Sequence, residues 1–128
     1  GALQQDVVGL VLPQKYRLIV TISTLEHVGW DETPRTPGKH LVALASLKGL
    51  LVPGGLLVVT LPIGYNPDLD ADLFSGRLGF DEVYFFQRMT LESWKQVEAD
   101  EVKGSKYGVP FGAANAVAVG LVHNRSGL

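Results

Sequence analysis

The chain has 128 residues, 46% of them hydrophobic and 19% charged, with a formal net charge of -2 and no cysteine. Such a chain makes one globular domain with a real core rather than a disordered segment. No cluster of Lys and Arg favours binding to a nucleic-acid backbone, and without cysteine there are no disulfides, thiolate metal sites or Cys nucleophile.

No repeat, low-complexity tract or linker divides residues 1–128, so a single domain is expected. Pro53-Gly54-Gly55 and Pro62 interrupt the apolar runs before any could span a bilayer. The first residues lack the basic start and long apolar run of a signal peptide, and the lack of cysteine suits a cytoplasmic protein. Residues 7–12 are apolar enough for a short strand or buried turn, although Gly9 weakens a strand there. Residues 16–23 (YRLIVTIS) read as a strand dense in Ile, Val and Leu, the pattern of burial on both faces. Residues 30–38 contain Pro34, Pro37, Asp31 and Glu32 and predict a loop. Residues 39–51 predict a helix whose Ala43, Leu44, Leu47, Leu50 and Leu51 share one face, stopped by Pro53-Gly54-Gly55. Residues 56–61 (LLVVTL) form the next strand.

Strand, helix, glycine turn and strand make a βαβ unit. That predicts two parallel strands, a right-handed crossover and a sheet covered on both faces. Residues 82–88 (EVYFFQR) alternate more and predict a less buried strand, residues 93–102 a short polar helix, and residues 116–122 (AVAVGLV) a last strand. A Gly/Pro/Ala-rich loop over 104–115 precedes it.

Ligands of open parallel sheets bind outside the carboxyl ends of the strands, where loops converge. The loop STLEHVGW follows the first strand and PIGYNPD the second. Neighbouring parallel strands set these loops side by side, so His27 and Tyr65 should come within about 12 Å of each other.

The segment YRLIVTISTLEHVGW, a helix, and then LKGLLVPGGLLVVTLP resemble the C-terminal half of a class I S-adenosylmethionine (SAM)-dependent methyltransferase. The likeness covers residues 5–123, with EVYFFQR and AVAVGLV similar to that family's antiparallel final pair. It implies an α/β, partial Rossmann-like fold: a mixed sheet with parallel central strands and an antiparallel terminal pair. It also implies SAM as cofactor and methyl transfer to a small-molecule or sugar-like acceptor. Carried over residue by residue, Asp6, followed by Val7, would meet the adenine amino group. Ser23, Thr24 and Leu25, with Glu26 beside them, would pass under the methionine part. The family's Gly-rich loop and ribose-holding acid have no counterpart, and Arg17 stands where the family usually has Asp. Residues 1–128 alone are therefore expected to bind SAM poorly and to be inactive. The rival reading is a non-catalytic binding or assembly module on the same scaffold; a different nucleotide-binding enzyme suffers equally from the absent Gly-rich loop.

His27 is the candidate general base, since an imidazole titrates near neutrality; its plainer reading is a packing or cofactor-wall residue. Asp31 and Glu32 make a metal site conceivable, but one His with carboxylates on one loop is a poor transition-metal set. Tyr65 and Asn66 offer an aromatic wall and a donor–acceptor pair to a substrate, or simply a turn built on Asn-Pro. Trp30 and Asn115 are further substrate candidates of that kind. His40 and His123 read as surface residues. Asp68, Asp70 and Asp72 lack the Gly and closing Glu of a calcium loop and read as a solvated helix start. The strand over 18–22 carries no charge or proline to guard its outer edge. Homo-oligomerisation through that edge is expected, or a fold-back of residues 1–12 over it.

Overall fold

The computed structural model describes residues 15–125; Asp6, Val7 and the apolar run 7–12 lie outside that range. Five strands form one mixed sheet, β1 (Tyr16–Ile22), β2 (Leu51–Pro62), β3 (Glu82–Arg88), β4 (Trp94–Val97) and β5 (Ala116–His123), in the order β1-β2-β5-β3-β4. β1 and β2 are parallel, as the βαβ reading requires, and the other pairs are antiparallel. The helices are α1 (Lys39–Lys48), α2 (Pro67–Phe74) and the single turn α3 (Ala99–Val102). The chain is thus α/β. Among the described residues no helix is long and apolar enough to cross a membrane.

Several elements depart from their sequence pattern for identifiable reasons. The helix expected over 39–51 ends at Lys48, and Leu51 already pairs with Tyr16. Pro53-Gly54-Gly55 does not stop a helix; it lies inside β2, where pairing moves from Tyr16↔Leu51 to Leu18↔Leu56, so the extra residues form a bulge. Asn124 closes it, its amide donating to the carbonyls of Leu51 and Val52 while its own carbonyl accepts from Gly54 N. Residues 93–102 are not one helix. Trp94, Lys95, Gln96 and Val97 pair with β3, and only the next turn is helical, held by the reciprocal capping bonds of Glu98 and Glu101. Cross-strand pairing overrides the weak polar-helix pattern there.

His40 is also not on the surface. It is buried at 2% exposure, and its Nε2 lies 2.6 Å from Asp72 Oδ2, tying α1 to α2. His123 is exposed, near Glu82 at 3.6 Å.

The core lies on one side of the sheet. Leu57, Val59, Leu61, Ala116 and Ala118 point to it, and Leu25, Ala43, Leu44, Leu47, Leu69 and Leu73 cover them from the helical layer. The register puts Leu18, Val20 and Ile22 of β1 on the opposite face, beside Leu56 and Val58 of β2. Those three are 58%, 49% and 70% exposed. The expectation of a sheet covered on both faces fails among the described residues: the helices pack on one face only. β1 also stands at the end of the strand order, so its outer edge has no strand partner among them.

Candidate functional site

The carboxyl ends of β1 and β2 build the site. Ser23 takes a positive φ of 51°, which ends β1, and its N–H donates to Thr60 O at 3.1 Å on the neighbouring strand. The chain then makes a 3₁₀ turn over Leu25–His27. Leu25 is driven into the core at 0% exposure, and Glu26 follows it at 2%. His27, next in the turn, is turned outward, its side chain 49% exposed.

From the second strand, Tyr65 and Asn66 arrive beside this turn. Asn66 is the N-cap of α2: its Oδ1 accepts from the N–H groups of Asp68 and Leu69, with Pro67 at the first helical position. Its Nδ2 donates to Glu26 O at 3.0 Å, so the buried Asn66 amide fastens the two loops together. Its polar atoms serve the fold rather than a ligand. Asn66→Ala should cost about 0.5–2 kcal/mol, the usual range for a lost N-cap. Urea unfolding against the parent chain measures it, and a neutral result would refute the fastening role.

His27 and Tyr65 meet. Their ring centroids are 4.8 Å apart, edge to face, well inside the distance expected from parallel neighbouring strands. Asp31, one helical turn beyond His27, completes the group. Its Oδ2 is 2.6 Å from His27 Nδ1, and its Oδ1 accepts from the Tyr65 hydroxyl at 2.8 Å. The Tyr65 bond holds the Asp31 carboxyl below its ordinary pKa and the Tyr65 phenol above its own. On the other side of the ring, His27 Nε2 lies 3.5 Å from Glu26 Oε2. Glu26 Oε1 is buried with no hydrogen-bond partner, and burial raises the Glu26 pKa.

Tyr107 packs edge to face on Tyr65 with centroids 5.2 Å apart, extending the aromatic wall. Its loop sits directly on Gly64 (φ +93°), where any Cβ would approach Ser105 O to 2.4 Å and Tyr107 N to 2.7 Å. Sequence reading did not single out Tyr107, because only the tertiary seat on Gly64 brings it here. Asp31 had a usable signal, its i+4 spacing from His27, but was weighed only as a metal ligand. Among the described residues no group of three or more His, Asp or Glu is placed to hold a metal ion.

The remaining candidates go elsewhere. The Trp30 ring carries the Arg35 guanidinium at 3.6 Å, and Arg35 Nε donates to Trp30 O. Asn115 is buried and knots its own loop, accepting from Phe111 N and donating to the carbonyls of Phe111 and Ala113. Ser23 and Thr24 are exposed next to the site, Thr24 Oγ1 bonding back to Ile22 O. A groove of about 600 Å³ between β3, β4 and α3 shares none of these residues.

No family model matches this chain, and no curated protein matches it. The functional reading rests on the geometry and on the sequence likeness described above.

Proposed function

We propose that the chain carries the acceptor side of a SAM-dependent methyl-transfer site, acting on a hydroxyl or amine of a small or sugar-like molecule, with His27 as general base. The observation that carries this reading is the His27 imidazole clamped by Asp31 and Tyr65 at the carboxyl edge of the parallel pair. With Nδ1–H donated to Asp31, the lone pair is left on Nε2, the form needed to accept a proton. Asp31 is a carboxylate at neutral pH, and the Tyr65 hydroxyl bond lowers its pKa further. Once Nε2 takes the acceptor's proton, the imidazolium stands between Glu26 and Asp31, and the two carboxylates offset its charge. Tyr65 and Tyr107 supply an aromatic wall that orients a ring-shaped acceptor.

The residues fit one end of the cofactor. Exposed Ser23 and Thr24, and the unpartnered acceptor on Glu26, match the polar methionine part; Leu25 is wholly buried and can contribute only its backbone. SAM, when bound, supplies an electrophilic sulfonium methyl. Residues 1–128 hold no Gly-rich loop of the family's kind to grip the nucleoside.

Calorimetric titration of residues 1–128 with SAM is expected to give no dissociation constant in the low micromolar range or tighter. At millimolar SAM, amide NMR shifts should concentrate on residues 22–27 and 64–66. Perturbations spread elsewhere, or none, would reject the reading and favour the rival assembly module, which the uncovered sheet face already supports.

A further inference from the structure

The face of the sheet opposite the helices is apolar across four strands. The registers align Leu18 with Leu56, then Val20 with Val58 and Leu121, then Ile22 with Thr60, Val119 and Tyr84, then Val117 with Phe86. None of these side chains belongs to the core on the helical side. We propose that this face is a homodimer interface, covered in solution by the same face of a second copy. This goes beyond the proposed reaction and does not depend on it.

Size argues for an occupant. Four strands about 4.8 Å apart and four side-chain rows about 6.8 Å apart give a patch on the order of 400 Å² in projection. Side-chain relief makes the accessible area larger, towards the roughly 800 Å² per partner of a standard specific interface. A monomer rarely leaves an apolar patch of that extent open.

Charge argues for a second copy in particular. A two-fold interface puts each patch against itself, so any unpaired central charge would face its own kind. The rows hold no such charge: Glu82 lies at the rim, opposite Leu121 in register and 3.6 Å from His123. The face is also continuous with the outer edge of β1, which has no strand partner among the described residues. The join proposed here uses the side chains of the face and leaves that edge as a separate matter.

Light scattering on the chain 1–128 is expected to give the mass of two chains. Tyr84→Lys, at an exposed position on the face, and Val119→Lys, near its centre, should each halve that mass. Far-UV circular dichroism should stay folded for the Tyr84→Lys protein, since Tyr84 is 39% exposed and is not part of the core cluster. A one-chain mass for the unmodified protein at high micromolar concentration would overturn the proposal, as would a polydisperse aggregate. A dimer that survives both substitutions joins elsewhere, the β1 edge first among the alternatives, and would overturn it too.

Discussion

Gly64→Ala is expected to destabilise the protein by about 2–5 kcal/mol, far more than an exposed substitution usually does. Two costs combine. The residue sits at φ +93°, where a side chain is strained by about 1–2 kcal/mol. Its new Cβ would also stand 2.4 Å from Ser105 O and 2.7 Å from Tyr107 N, both backbone atoms that cannot rotate away. Forcing the loop outward adds about 1–3 kcal/mol. Gly76 provides the control, because it shares a positive φ of +81° but has nothing within 4 Å of a Cβ. Gly76→Ala should pay the backbone cost alone. Denaturant unfolding of both variants isolates the contact term by subtraction. Equal losses would mean that the 104–115 loop is not seated on Gly64, and the Tyr65–Tyr107 wall would go with it.

That loop marks the boundary of what the sequence made legible. Periodicity located β1, β3 and β5 to within a residue or so, because each is a dense or alternating apolar run. The parallel pairing of β1 with β2 followed from the crossover, and with it the meeting of His27 and Tyr65. What stayed hidden depends on partners far along the chain. Pro53-Gly54-Gly55 has the composition of a helix stop, yet Asn124 and β1 draw it into the sheet as a bulge. His40 looks like a solvated helix residue until Asp72 arrives from α2 to bury it. Asn66 offers the same amide to a ligand or a helix N-terminus, and the choice was settled by the helix that begins at Pro67. The face that no helix covers among the described residues was missed as well. Val20 and Val59 are both β-branched residues in apolar strands, and only the register reveals that one faces the helices and the other does not.

Glu26→Gln is expected to make the protein more stable at neutral pH, because the glutamine amide has no charge for burial to penalise. The side chain is 3% exposed, Oε1 has no donor, and the nearest basic group is the His27 ring, with Nε2 3.5 Å from Oε2. Burial raises the Glu26 pKa above its ordinary 4.5, against the lowering effects of its own backbone N–H and of His27. The folded state therefore binds more protons than the unfolded state between 4.5 and the raised value. Stability contributed by this group is full below pH 4.5 and is lost as pH rises through the folded pKa. Glutamine does not ionise, so the variant escapes that loss. The two proteins should be nearly equal at acid pH and separate as pH rises. Asp70, raised by burial, acts in the same direction, while Asp31 and Asp81, lowered by their hydrogen bonds, act in the other; all three remain in both proteins and largely cancel in the difference. Urea unfolding from pH 4 to pH 8 tests the sign. A gap that stays flat, or a glutamine protein that is weaker at pH 7, would mean that the Glu26 carboxylate is paired in the folded state, with His27 as its partner. A widening gap would mean that the fold bears a cost for keeping an acid beside His27. The position of that acid next to the imidazole matches the proposed role of offsetting charge if Nε2 takes a proton.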